Sequence, residues 1–439
     1  MTVRIGGGQG FYGDGHAPVA ELLADGIDYL VCEALAELTL AILQKDRQRD
    51  ESLGYARDFP LYVAAAIGDV LDGRTKVITN AGGINPIGAG RAVIGALRAH
   101  GVTGVKVATI VGDDIRPHAD ALGLPDDTLF ANAYLGAMPI VEALAAGADI
   151  VIGGRIADAS LFLAPLIHEF GWERDQWDLL AAGIAGGHLL ECSGQVCGGN
   201  YSGDWWNNST PGMVGFPIGE FESDGTFVMT KPAGSGGRVT FDTVREQLLY
   251  EVQDPSAYLN PDVTVDLASA RLDDLGNDRV RVSGVQGAPP PETYKALVCR
   301  PGGWSSEVKA TYGWPDAEAK AHTAVEYLKA RAAVIGMEVT EWHEEYFGAN
   351  AFGGPTVPEA PDGWEPPEVI ARLAWRCETK EEVTKLGREM GLLGLSGPPM
   401  VAAAGRGRDG RPSQLLTLDA LAVPHHLVDD QVVVELTEV

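Results

Sequence analysis

The chain is short of positive charge, short of cysteine and without a long apolar run. Each shortage removes a class of protein. Lysine and arginine total 33 against 61 aspartates and glutamates, for a net charge of −28. Nucleic acid and anionic membrane surfaces call for a basic face, so neither is an expected partner. A phosphorylated small molecule stays open, since it needs only a local donor-rich pocket. Five cysteines in 439 residues are odd in number and mostly far apart, which is no disulfide framework. Cys192 and Cys197 stand five apart with no second close pair, so a structural zinc site is poorly supported. No apolar stretch reaches the length of a bilayer span, and the start MTVRIGGG lacks a basic-then-apolar leader. A cytoplasmic protein is the expectation.

What is abundant is glycine, 56 residues of it, set beside polar side chains at the ends of short apolar runs. VRI leads into GGGQGFYGD (6–14), DYLVC into EALAELTLAILQKDR, TKVITN into AGGINP (81–86), VKVATIV into GDD (112–114), and ADIVIGG into RIADASLFLAPLIHEFGW. The runs are short and β-branched, as in a parallel sheet covered on both faces. RAVIGALRAHG and MPIVEALAAGA have helical spacing and end on glycine. This alternation predicts an α/β fold with a doubly wound, mostly parallel sheet, followed by a smaller α+β part; an eight-unit barrel is the alternative. Composition divides the chain at 1–215, 216–355 and 356–439, the last beginning in the proline-rich connector PTVPEAPDGWEPPE.

Ligands of such folds collect at the carboxyl ends of the strands. There the sequence places Gln9, Asp14, Cys32, Glu33, Asn80, Asn85, Asp113, Arg155 and Asp158. Asp113, Asp158 and Asn85 also read as ordinary helix caps or turns. Gly6, Gly8 and Gly10 alternate, but Phe11 stands where a dinucleotide fingerprint needs glycine, so a backbone nest for an anion is the reading kept for Gly8. GSGG (234–237), with Lys231 before it and Gly236 within it, opens a helix and is a second place for an anion.

The densest stretch is GGHLLECSGQVCGGNYSGDWW (186–206). If its first half is helical, His188, Glu191 and Cys192 share one face at i, i+3 and i+4. A base, a carboxylate and a thiol together suit proton transfer or nucleophilic attack. The same three, with Asp158 or Cys32, could hold zinc with one open position. A core histidine and a buried cysteine are the ordinary reading of the same pattern. The tail GRGRDGRPSQLLTLDALAVPHHLVDDQVVVELTEV reads as edge strands, with His425 and His426 facing opposite sides.

Taken together, GGGQGFYGD, ITNAGGINP, GGRIADASLFLAP, GGHLLECSGQVCGGNYSGDW, KPAGSGGRV and LLYEVQDPSAYLNPDV resemble the AtuA family, named for acyclic terpene utilisation, over roughly residues 4–355. The resemblance implies a place in the breakdown of branched terpenoid acids through acyl-CoA intermediates. Many members carry an extra small C-terminal domain, and the tail after 355 is too short for a full copy, so a separate small subunit is an expected partner.

The leading expectation is a redox-neutral enzyme, a lyase, hydratase or hydrolase, acting on a coenzyme A thioester or similar carboxylated small molecule. Glu191 or His188 would be the base, amides at 82–83 or 198–199 the enolate donors, and Arg155 and Lys231 the holders of an anionic end. Cys192 attacking with His188 as its base is the covalent version. No nicotinamide, flavin or pyridoxal signature is present. The alternatives are a zinc-dependent hydrolase and a non-catalytic accessory subunit. A homo-oligomer is expected on general grounds.

Overall fold

A computed structural model describes residues 1–207, 214–349, 351–352, 361–403 and 410–439. Residues 355–360 of the proline-rich connector and 404–409 of the tail therefore lie outside the described residues. The chain divides into two compact units, Met1–Cys299 with Leu418–Val439, and Arg300–Thr417. Every residue singled out as a candidate for chemistry lies in the first.

That unit is built on a ten-stranded sheet. Its strands, with one that pairs elsewhere, are β1 (Val3–Gln9), β2 (Tyr29–Cys32), β3 (Lys76–Thr79), β4 (Lys106–Val111), β5 (Phe130–Ala133), β6 (Ile150–Ile152), β7 (Ile218–Phe221) and β8 (Phe227–Thr230). The helices are α1 (Val19–Ala24), α2 (Glu37–Arg49), α3 (Phe59–Leu71), α4 (Pro86–Ala99), α5 (Ala119–Leu122), α6 (Met138–Ala145), α7 (Ser160–Phe170), α8 (Trp177–Leu190) and α9 (Phe241–Leu249). The sheet's centre is parallel in the order β1-β2-β3-β6-β4. On the β1 side β7, β8 and the strands Val280–Ser283 and Arg271–Asp274 continue it antiparallel. Val433–Glu438 closes the β4 edge, also antiparallel. β5 stands apart and pairs with residues 296–299.

Strand alternation divides the core in two. Tyr29 and Val31 of β2 face one apolar cluster with Phe162, Leu166 and Ile184 of α7 and α8. Leu30 and Cys32 face another with Phe59, Val63, Val93 and Leu97 of α3 and α4. Helices cover both faces, which is the doubly wound arrangement. The local signals explain the ends. Asn85 caps α4, its Oδ1 accepting from Gly88 N at 3.0 Å, with Pro86 just inside. Thr240 and Thr243 bond reciprocally at the start of α9, a capping box. α7 ends on Gly171 at φ +66°.

α8 is buried along its whole length from Leu180, as a helix apolar on every side must be. Its end reaches β1, where a Cβ on Gly7 would collide with the Leu190 carbonyl. Glycine is needed there because the helix carrying His188 runs against the strand.

The described part of the tail departs from expectation between its two strands, where His425–Leu427 and Asp429–Gln431 are both 3-10 turns. The two histidines do not lie in a strand, because the chain bends after Pro424 before it joins the β4 edge. The His425 ring stacks on Tyr294 at 4.2 Å between centroids.

The second unit is an antiparallel sheet. Residues 304–313 pair with Glu368–Cys377, which pairs on its other side with Glu341–Phe347. Helix Ala317–Val334 covers one face through Ala321, Val325 and Leu328 against Val308, Leu373 and Trp375. Arg372 joins Glu307 and Glu345 on neighbouring strands. No described helix of the protein is long and apolar enough to cross a membrane.

Two glycine substitutions test this packing. A Cβ on Gly187 would lie 2.6 Å from the Ala159 carbonyl oxygen, so Gly187→Ala should force α8 off the start of α7 and cost about 1–3 kcal/mol in urea unfolding. Gly95, exposed within α4 with nothing within 4 Å of its would-be Cβ, should instead gain up to about 1 kcal/mol as Gly95→Ala.

Candidate functional site

The carboxyl ends of β2, β3 and β6 meet the end of α8, and the polar residues collect there. Glu33 follows β2, Asn80 follows β3, and Arg155 and Asp158 follow β6. Asn80 donates to Glu33 Oε1 at 3.0 Å and to Asp158 Oδ1 at 3.5 Å, while its own Oδ1 accepts from Ala34 N at 2.8 Å. Arg155 is completely buried. Its guanidinium donates to Leu35 O at 2.6 Å and Ile156 O at 2.8 Å, pairs closely with Asp158, and lies 4.2 Å over the Tyr134 ring. Its backbone N–H donates to the buried Asp113, which also accepts from Asn132.

At the end of α8 the helical spacing is realised. His188 Nδ1 and Glu191 Oε1 are 2.8 Å apart, and the imidazole lies against Tyr258 at 5.2 Å between centroids. The His188 backbone carbonyl accepts from Gln247 of α9 at 3.1 Å. A third group forms at the end of β1. Gln9 donates to Asp58 Oδ2 at 3.1 Å, and Asp14 accepts from Gly10 N at 3.1 Å and from Ser193 Oγ at 2.9 Å. Ser193 directly follows Cys192, so the third group adjoins the end of α8, and Asp158 of the first group is near enough for its charge to act on Glu191.

Burial sets the protonation of this cluster. Glu191 is pushed up to about 7, chiefly by burial, with His188 opposing and Asp158 and Glu251 adding. For His188 burial works against the charged ring, but Glu191 and then Glu251 outweigh it, so the ring keeps its proton above the usual range. The pair therefore holds protons as one unit. Glu33 is raised well above the carboxylate range by burial and by Asp158, against the pull of Arg155. Asp158 is raised by burial despite Arg155. Cys192 is raised by burial and then by Glu191, which keeps it a thiol and a poor nucleophile. The Tyr258 phenol is raised far up by burial and by Glu191, and so remains a neutral donor.

Several predicted residues sit elsewhere or are already occupied. Asn85 is the cap of α4, with its amide on Ser52 O and Leu53 O. Gly8 lies inside β1, where a Cβ would strike Leu30. Lys231 donates to Ser235 O at 2.7 Å and pairs with Asp278 at 3.2 Å, and Gly236 O accepts from Gly215 N. The amides of Gly82, Gly83, Gly198 and Gly199 bond to Gly153, Asn80, Gln195 and Gly194 carbonyls respectively. Cys32 is buried beside Asp14 and Asp58, whose charges add to burial in raising its thiol. Among the described residues no group of three or more His, Cys, Asp or Glu side chains is arranged to hold a metal ion.

Other members of the cluster were not read from the sequence. Asp58, Tyr258, Glu251 and Gln247 all come from segments distant in the chain. Tyr258 and Glu251 lie within LLYEVQDPSAYLNPDV, and Asp58 precedes Phe-Pro as a helix cap does, so the signal existed in the motif and in the cap.

Fold and site together define an α/β protein with an acidic, proton-holding cluster at the carboxyl ends of its parallel strands. The family model of the acyclic terpene utilisation family protein AtuA matches residues 3–434, nearly the whole chain, and the protein belongs to that family. No curated protein and no solved structure matches the chain. Membership connects it with acyclic terpene utilisation.

The raised groups give a stability profile with a defined sign. A carboxyl held above its ordinary value binds its proton more tightly folded than unfolded, so stability falls as pH rises from the ordinary carboxylate range towards about 7. His188, also raised, loses its contribution in the same direction. Urea unfolding at pH 5 and pH 8 should show lower stability at pH 8, and Glu191→Gln should reduce that difference.

Proposed function

We propose that the protein is a redox-neutral enzyme of terpenoid acid catabolism that moves a proton at the carbon beside a thioester carbonyl, in the manner of a hydratase or dehydratase. The observation that carries this reading is the placement of buried polar atoms without partners. Of nine such side-chain atoms among the described residues, five fall at the strand ends, the start of α3 and the end of α8: Gln9 Oε1, Asp58 Oδ1, Arg155 Nε, His188 Nε2 and Glu191 Oε2. Buried polar atoms are ordinarily bonded, so five unpaired in one region favour a place where a reacting molecule completes them.

In this scheme Glu191 is the base. A carboxylate lifted to about 7 is matched to neutral operation, and His188, bonded to its other oxygen, is a positioning residue that orients it. Glu191 takes the α-proton, and the C–H electron pair moves into the carbonyl as an enolate. The Tyr258 phenol donates a hydrogen bond to that oxygen. When the enolate collapses, a β-hydroxyl leaves as water with the proton of Glu33, whose carboxyl is raised well above the usual range by burial and then by Asp158. The reverse sequence is hydration. Arg155 supports the cluster: its charge limits the repulsion between Glu33 and Asp158. Covalent attack by Cys192 is disfavoured by its protonated thiol.

The test is wash-in of deuterium beside the carbonyl of branched and β-hydroxyacyl-CoA thioesters in D2O, followed by NMR. Catalysed exchange is expected, falling by about 10²–10⁴-fold in Glu191→Gln. Equal exchange by that variant, or no exchange with any thioester, would sink the reading and leave the accessory-subunit role in its place.

A further inference from the structure

Beside the end of α8 lies a cavity of about 350 Å³, walled by the loop after α8 and by α9. Gln195, Asn200, Tyr201, Gln247 and Tyr250 line it with amides and phenols. Its volume falls at the lower end of small-molecule sites, typically about 300–1,000 Å³. The cavity's charge character is unusual for so acidic a chain. Glu246 is its sole charged lining residue, and that carboxylate is taken up by Ser202, accepting from its N at 2.9 Å and its Oγ at 2.7 Å. A phosphate or carboxylate would find no cation there, and the one carboxylate is already held by two donors of Ser202.

The amides are not scattered. Asn200 Nδ2 donates to Gln195 Oε1 at 3.4 Å, Gln195 Nε2 to Gln247 Oε1 at 2.8 Å, and Gln247 Nε2 to the His188 carbonyl at 3.1 Å. Gln247 is itself buried. Asn200 holds the left-handed backbone, φ +54°, which sets its side chain at the outer end of the chain of amides. Each primary amide in such a ladder has a second N–H or a second lone pair beyond the bond it makes to its neighbour. Gln247 spends its donors on His188 O and Cys192, so the spare N–H groups are those of Gln195 and Asn200, and they match a ligand that also alternates N–H and C=O. At the end of α9 Tyr250, also a lining residue, bonds to Glu251, whose charge acts on Asp158, His188 and Glu191. The ladder and Tyr250 therefore connect the cavity to the catalytic cluster by two routes.

We propose that this cavity holds a neutral, amide-bearing arm of the substrate, and that the arm is the pantetheine portion of the thioester. The assignment rests on the thioester reading above and narrows it. The two amides of pantetheine lie along the Asn200–Gln195–Gln247 ladder, and the thioester end is directed to Glu191. Recognition is then of the arm, leaving the acyl group to the strand-end cluster.

Calorimetric titration with pantetheine itself tests this. The wild-type protein should bind it, and Gln195→Met and Asn200→Gly should each weaken binding by about tenfold or more. Asn200→Gly keeps the left-handed backbone, so folding is preserved should Gln195→Met disturb the loop. Absence of binding to wild type, or equal binding by both loop variants, would overturn the assignment even where Glu191-dependent exchange is intact. Equal affinity for a trialanine peptide would also overturn it, making the cavity a peptide site. Loss of exchange chemistry with pantetheine binding retained would count against the base and not against the cavity.

Discussion

The strand ends depend on one buried positive charge. Arg155 carries a guanidinium out of water entirely, and an isolated charge so placed would be very costly. It is held by two backbone carbonyls, by Asp158 and by the face of Tyr134. In return it lets Glu33 and Asp158 stand near one another at the ends of neighbouring strands. Neither carboxyl regains an ordinary acidity, since burial outweighs the arginine at both. The outcome is a pair of carboxyls that hold their protons more tightly than exposed ones would, next to a histidine–glutamate pair.

Glycine supplies the geometry that makes this proximity possible. α8 approaches β1 at Gly7 and α7 at Gly187, and both approaches exclude a side chain. Only then can His188 and Glu191 stand at the end of the sheet. The glycines of β1 thus do packing work inside a paired strand, where the sequence alone allowed an anion nest. Function and packing compete for the same residues here, and close packing claims Gly7 and Gly8.

Much of the fold was legible because its signals are local. Tyr29–Cys32, Lys76–Thr79 and Lys106–Val111 are short β-branched runs, and Asn85-Pro86 marks a helix start. The pairing of His188 with Glu191 was legible too, as i and i+3 on one helix face. The remaining members of the site were less legible, because Asp58, Tyr258, Glu251 and Gln247 arrive through tertiary contacts. Roles for Arg155 and Lys231 were the hardest to read. Residue type makes both look like anion holders, whereas most of their donors are engaged, by Leu35, Ile156 and Asp158 for Arg155 with its Nε left over, and by Ser235 and Asp278 for Lys231. A pattern of residue types does not show which donors the fold itself consumes.

The central claim is that Glu191 is a buried carboxyl poised near neutrality. The most direct measurement is a carbon-13 NMR titration of protein labelled at the glutamate carboxyls, with Glu191 identified by its absence from the spectrum of Glu191→Gln. The account predicts a carboxyl that titrates near 7, coupled to the His188 ring. A Glu191 signal titrating in the ordinary range near 4.3 would contradict it, and would remove the base from the proposed reaction.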